Sequence, residues 1–464
     1  MTVRADPGSF RDPSGQIFHC DDEIYRTINP SAAASYEFVR DSGLLAELSG
    51  AGLLLPAEEV DRAILGEAAS AASHVVRHPK LATISYPYEW SFLMLRAAAL
   101  LHLDLQLAAL ERGACLSDAS AYNVQFRGPR PVFIDLLSLR RYREGEFWTG
   151  HSQFCTQFLN PLLLRSLLGV SHNAWYRGSQ EGITTAELAS LLPFRSKLSW
   201  NVFSQVVLQA KMQRSARGRS RSDLAQVRQR QLPKSAFRNM LLQLRGWIAR
   251  LEPRDREKSL WNDYAADNTY KSEEAATKHR FIEDFVRSTQ PGLLWDIGCN
   301  TGAYSETALG AGAGQVVGFD FDQGALDQAF LRAEQKNLDF LPLFLDAANP
   351  SPDQGWRQLE RAGFQQRARA DALVALAFVH HLAIGRNIPL DQLLAWLTSL
   401  APTGVIEFVH KSDTTVKQML AMREDIFPGY TEEAFTAELD RCAEIVRSEQ
   451  VSEEGRRLFW YRRR

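Results

Sequence analysis

The stretch Leu293-Leu294-Trp295-Asp296-Ile297-Gly298-Cys299-Asn300-Thr301-Gly302 decides how the second half of the chain is read. Its first five residues are a short apolar run carrying one carboxylate near its end, and they predict a buried strand. A glycine-containing turn follows, then a helical stretch from Tyr304. In such a strand–turn–helix unit, Gly298 and Gly302 let the backbone approach a ligand at the helix N-terminus. A dinucleotide fingerprint would read G-x-G-x-x-G. The spacing present is Asp296-x-Gly298-x-x-x-Gly302, which does not fit it.

Strand and helix patterns alternate outward from this turn to the C-terminus, predicting an α/β, doubly wound, Rossmann-like sheet. Residues 315–320, Gln-Val-Val-Gly-Phe-Asp, end on Asp320, 18 positions beyond Gly302. A carboxylate at the end of the second strand can accept hydrogen bonds from both hydroxyls of a ribose. Asp322 lies close by and competes for that reading. A third strand over 340–345 leads to Asp346 and Ala347. A fourth over 371–377 leads to Phe378-Val379-His380-His381, and a fifth over 404–409 to His410-Lys411. Runs at 445–451 and 457–461 predict a final antiparallel pair.

Upstream, residues 211–234 hold eight Lys or Arg and one Asp. The run predicts a solvated connector, with polyanion binding as the rival reading. The expected organisation is a domain at 1–210, a basic, partly helical connector at 211–255 and the Rossmann-like domain at 256–464. The first domain reads as α+β. Strands are expected at 16–19 and 23–28, and helices at 32–48 and 57–70. One long helix covers 86–111, opened by Tyr86-Pro87-Tyr88. A hairpin joins 123–126 to 131–136 through Arg127-Gly128-Pro129. Residues 147–210 read as helical, with Pro161 and Pro193 as breakers.

Composition narrows the function classes. The 464 residues are 45% hydrophobic and 23% charged, with a formal net charge of −2. That balance makes no general case for nucleic acid or an anionic membrane. The five cysteines are scattered with no Cys-x-x-Cys pair, so neither a zinc ribbon nor a disulfide framework is expected. No metal site is expected in the Rossmann-like domain. The N-terminus lacks the apolar core of a secretory signal. The most apolar run, 92–110, contains Arg96, His102 and Asp104 and reads as a buried helix, not a span. A cytoplasmic location is the expectation.

The Asp296–Gly302 turn together with Asp320 resembles the cofactor-binding motifs of class I methyltransferases. The segments ISYPYEWSF (84–92), SDASAYNVQF (117–126), RPVFIDLLSL (130–139), LLWDIGCNTG (293–302) and ALAFVHHLAI (375–384) extend the resemblance to the nodulation protein NoeA-like methyltransferases over most of the chain. Asn300 stands where the usual pattern has its middle glycine. The resemblance implies S-adenosyl-L-methionine as cofactor. It implies that Asp296, Gly298, Asn300 and Gly302 hold its methionine end and Asp320 its ribose. Phe319 or Phe321 would lie near the adenine, with Asp346 and Ala347 lining it. Trp261, Tyr264 and Tyr270 would fold over the cofactor, although they also fit an amphipathic packing stripe. His381, and next His380, are the candidates for a general base near neutral pH, with capping of the following helix as the alternative. Glu407, His410 and Asp413 are secondary candidates.

In the first half, Asp118-Ala119-Ser120-Ala121-Tyr122-Asn123 and then Asp135 resemble the catalytic core of kinase-like phosphotransferases. By that resemblance Asp118 is the base, and Asn123 and Asp135 are the metal ligands of a nucleotide site. Leu116-Ser117 stand in place of the family's histidine. Gly8 and Gly15 are a thin nucleotide loop, and Arg26 stands where a strand lysine is expected. The same residues also suit turn caps and a strand end. The expected activity is methyl transfer to a small-molecule or glycan acceptor, with the N-terminal domain contributing to acceptor binding. The rivals are a bifunctional methyltransferase–phosphotransferase and a scaffold protein with a vestigial cofactor site.

Overall fold

The computed structural model describes residues 3–211, 231–254, 272–421, 423–452 and 455–464. The chain separates into two compact units, Met1–Arg256 with Gln354–Arg361, and Glu257–Asp353 with Ala362–Arg464. Part of the expected connector belongs to the first unit. Helix Lys234–Ile248 buries Phe237, Leu241, Leu244 and Ile248, one stripe at helical spacing. Its Arg245 holds Asp104 of the long helix at 2.9 Å. Most of the basic run, 212–230, lies outside the described residues.

In the N-terminal unit β1 (Val3–Ala5), β2 (Ile17–Cys20), β3 (Glu23–Ile28), β4 (Glu58–Val60) and β5 (His74–His78) form one antiparallel sheet, ordered β1-β2-β3-β5-β4. The helix expected at 32–48 is two helices, Pro30–Asp41 and Leu44–Gly50. Gly43 parts them at φ +76. The helix expected at 57–70 is absent. Its first residues are edge strand β4, and the rest, Arg62–Ala69, is short tight turns broken at Gly66 (φ 56, ψ −130). Strand pairing and a glycine outside helical φ/ψ override the apolar spacing there.

The long helix starts at Phe92, not at Tyr86. Trp90 is extended and Ser91 caps the first turn. Phe92–Glu111 is apolar around most of its circumference because the unit packs around it. It is the one described helix long and apolar enough to cross a membrane, and 67% of that stretch is buried. Pro161 does not break its helix. Residues 151–168 are continuous, and a wide-turn segment at Cys155–Leu159 precedes the proline. A widened turn accommodates the missing N–H and the ring. Beyond the long helix, β6 (Ala114–Leu116) pairs with β9 (Leu139–Arg141). Between them β7 (Val124–Arg127) and β8 (Arg130–Phe133) form the expected hairpin.

The C-terminal unit contains β10 (Leu293–Ile297), β11 (Gln315–Asp320), β12 (Phe340–Phe344), β13 (Ala372–Ala375), β14 (Thr403–Val409), β15 (Ala443–Gln450) and β16 (Arg456–Arg463). They form one sheet ordered β12-β11-β10-β13-β14-β16-β15, in which β16 alone runs against its neighbours. This is the Rossmann-like arrangement of class I methyltransferases. The central strands are near-continuous apolar runs because helices cover both faces. Strand order reverses between β10 and β13. The crevice beyond the carboxyl ends of these strands is therefore where such a sheet takes its ligand.

Candidate functional site

The turn after β10 is tightly held. Gly298 and Cys299 both donate their N–H to the Phe319 carbonyl, at 2.7 and 3.0 Å. Asn300 has φ +49, a region asparagine enters more readily than most residues, so it can stand in for a glycine. Gly302 begins helix Ala303–Gly310 at φ +79, and a Cβ on it would meet Phe340 Cε1 at 2.4 Å. Only glycine fits that place.

The two acids differ in their setting. Asp296 is buried and accepts a 2.7 Å bond from Ser305 Oγ. Burial pushes its carboxyl up to about 7. Asp320, at the end of β11, accepts from the N–H groups of Asn300 and Asp322, both at 2.8 Å. Burial pushes it to about 6, against the pull of those N–H groups. These N–H groups, together with that of Phe321, fix the carboxylate at the strand end. Asp322 caps the following helix, its Oδ1 accepting from the N–H groups of Gly324 and Ala325.

Phe319 is not beside the crevice. It packs in the core against Trp295 and Phe364. Phe321 is 53% exposed and sits 5.6 Å from the ring of Phe344, as an apolar platform next to Asp320. Asp346 accepts from Ala348 N at 3.1 Å, and Ala347 is half-buried in the same loop. Trp261, Tyr264 and Tyr270 lie outside the described residues.

At the end of β13 the backbone turns sharply. Ala377 has φ +48, and its N–H donates to Glu407 Oε2 at 2.8 Å. Glu407 is fully buried on β14. Lys278 Nζ stands 2.7 Å from its other oxygen, and Arg456 Nη1 3.5 Å from that same oxygen. Arg456 in turn holds Asp413 at 2.7 Å. Glu407 and Asp413 thus belong to an internal ion network. Arg456 was not a sequence candidate. Lys278 had a signal in the sequence, because it shares a helical stripe with Phe281, Ile282 and Phe285, where an unpaired charge would not be tolerated.

His380 is buried with Nδ1 lacking a hydrogen-bond partner, and burial holds it well below its ordinary value. His381 is half-buried, and burial followed by the charge of Arg456 lowers it to about 4. Both rings are neutral at pH 7. His410 is exposed and bonded to Ser412 at 2.8 Å.

The N-terminal unit brings its own candidates together. The hairpin register pairs Val124 with Phe133, and Ile134 N–H bonds to the Asn123 carbonyl at 2.9 Å. That carries Asp135 back to Asn123. The Asn123 amide then reaches Asp118 Oδ2 at 3.2 Å and Asp135 Oδ2 at 3.3 Å. Ser138 Oγ stands between the same two carboxylates. Burial, and then the charge of Asp135, holds Asp118 above the ordinary carboxylate range. Segment Gln354–Arg361 is part of this unit, and Arg361 lies 4.4 Å over the Tyr122 ring.

No family model matches the sequence. Among curated proteins, nodulation protein NoeA of Rhizobium meliloti (strain 1021) is 48% identical over 456 residues, covering 98% of this chain and 95% of that protein. Solved structures give weaker likenesses. N-methyltransferase NodS from Bradyrhizobium japonicum WM9 shares 14% identity at a TM-score of 0.30, covering 42% of this chain and 98% of its own. Magnesium protoporphyrin IX methyltransferase from Synechocystis PCC 6803, with SAH bound, shares 19% at 0.31, covering 42% and 88%. The bifunctional kinase-methyltransferase WbdD shares 19% at 0.28, covering 44% and 41%. At nearly half identity along almost its entire length, the chain belongs to the nodulation protein NoeA family.

Proposed function

We propose that the C-terminal unit is an S-adenosyl-L-methionine-dependent methyltransferase acting on a small-molecule or glycan acceptor. The N-terminal unit contributes to acceptor binding. The observation that carries this reading is the convergence of the Gly298–Gly302 turn, Asp296 and Asp320 at the point where the strand order reverses. The residues suit the group: a positive-φ turn at Gly298, Asn300 and Gly302, the Asp320 carboxylate at the end of β11, and an exposed aromatic platform at Phe321.

When bound, the cofactor supplies an electrophilic methyl group on a sulfonium. The chain's share is to hold the acceptor in line with it, which can account for much of the rate. The assigned proton acceptor is His381, which is neutral at pH 7. With its proton affinity lowered, it suits an acceptor that is already acidic or gives up its proton late. His380 is enclosed and supports the turn after β13.

Calorimetry on the full chain is expected to show micromolar binding of S-adenosylhomocysteine, roughly −8 kcal/mol. Asp320→Ala is expected to weaken it by about 1–3 kcal/mol through lost hydrogen bonds to a charged group. Affinity equal to the parent in that variant would take Asp320 out of the ribose role. No binding to the parent chain would leave the scaffold reading.

The convergence of Asp118, Asn123 and Asp135 is the one observation favouring the bifunctional reading. We hold it to be a binding surface, because a live phosphotransferase also needs a cation on the phosphates and a loop to cover them. Asp118→Ala is expected to retain methyl transfer, with any loss confined to the KM for the acceptor, and to show, like the parent, no ATP turnover. Acceptor-dependent ATP hydrolysis that Asp118→Ala abolishes would reverse the assignment.

A further inference from the structure

The kinase-like constellation implies a magnesium ion, and its residues do not fit one as they are arranged. Asp135, the residue on which such an ion would rest, has a cation or a donor facing each oxygen. Oδ1 is 2.6 Å from Arg26 Nη1, and Oδ2 faces the Asn123 amide and Ser138 Oγ. Asn123 cannot turn its oxygen to a metal without losing these contacts. Two carboxylates only accept, so the amide nitrogen must face them. Among the described residues no three His, Cys, Asp or Glu side chains are placed to hold a metal ion.

Arg26 is the centre of the arrangement. It stands on β3, its side chain 9% exposed, and its second terminal nitrogen holds Asp12 Oδ2 at 2.7 Å. Asp12 belongs to the loop between β1 and β2, the loop expected to cover a nucleotide. That loop is fastened down. Asn29 donates to the Ser14 carbonyl at 2.8 Å and, through its side chain, to the Pro13 carbonyl at 3.0 Å. A Cβ on Gly15 would stand 1.9 Å from the Thr27 carbonyl, so the loop lies directly on β3. Arg11 of the same loop pairs with Glu360.

We infer that Arg26 is the resident cation of this constellation, joining Asp12 of the β1–β2 loop to Asp135, so that the site takes up no divalent metal. The physical ground is that a guanidinium does not lose its proton in a protein. A divalent ion at Asp135 would either face that fixed charge at close range or expel it. Expulsion would leave Asp12 without its cation and a guanidinium seeking a new partner in a nearly buried place. The planar fork also reaches two carboxylates at once, which a lysine ammonium would do with less directional control. The inference concerns the N-terminal unit alone and does not depend on the methyl-transfer reading.

The test is a titration of the full chain with Mn2+, followed by electron paramagnetic resonance, alone and with a non-hydrolysable ATP analogue. The parent and Asp135→Asn are expected to bind Mn2+ indistinguishably under both conditions. Arg26→Met is expected to gain Mn2+ binding at least tenfold tighter than the parent, and a second change, Asp135→Asn, should remove the gain. Parent binding that weakens tenfold or more in Asp135→Asn would overturn the inference. So would a folded Arg26→Met chain with no gain, its folding judged by circular dichroism. If Arg26→Met does not fold, the comparison of the parent with Asp135→Asn decides by itself.

Discussion

Replacing Lys278 by Met is expected to lower the unfolding free energy by about 3–5 kcal/mol, the usual cost of leaving one partner of a buried ion pair alone. Lys278 and Glu407 are almost fully shielded from water, with side chains 4% and 0% exposed. Burial draws the lysine below its ordinary value while Glu407 pulls it back. Arg456 stands farther from Glu407 and is already engaged with Asp413. It cannot fully take over. The double variant Lys278→Met/Glu407→Gln is expected to recover much of the loss, since glutamine can still accept the Ala377 N–H without a charge. Urea unfolding of the three proteins checks this. A single variant within about 1 kcal/mol of the parent would mean that the pair contributes little. The consequence reaches function because Glu407 holds Ala377 at positive φ. The turn that follows carries Phe378, His380 and His381, and Phe378 lies within 3.3 Å of where a Cβ on Gly298 would stand.

Asp296→Asn is expected to change the pH dependence of stability by on the order of 3 kcal/mol. The carboxyl ionises near 3.8 in the unfolded chain and near 7 in the folded one. Between those values the native state keeps a proton that the unfolded state has lost. Its contribution to stability is therefore complete below about pH 4 and is lost as pH rises through 7. Asparagine can still accept from Ser305 and has no such titration. Relative to the parent, the variant should gain stability steadily from pH 4.5 to pH 8. Denaturation midpoints at both pH values supply the measurement, and parallel behaviour of the two proteins would contradict a buried, proton-retaining Asp296.

The strands and turns of the C-terminal unit were legible in the sequence because their signals are local. Leu293–Ile297 and Gln315–Asp320 are apolar runs carrying an acid at or near their ends, and Gly298 and Gly302 between them take up positive φ. The hairpin around Gly128 was legible for the same reason. The failures were equally local in origin. Apolar spacing over 57–70 suggested a helix, but pairing of Glu58–Val60 with His74–His78 prevailed. Proline at 161 suggested a break, but a widened turn before it absorbed the defect.

Local patterns along the chain account for the order of strand and helix, the placement of glycine and acid at the carboxyl ends of β10 and β11, and the presence of Asp118, Asn123 and Asp135 at kinase-like spacing. Which charges meet follows from how the folded chain brings distant segments together. Lys278 and Glu407 are 129 positions apart, and Arg26 and Asp135 are 109 apart. No pattern along the chain links such pairs, because the cost of burying an unpaired charge is felt only once the surrounding sheets and helices have excluded water.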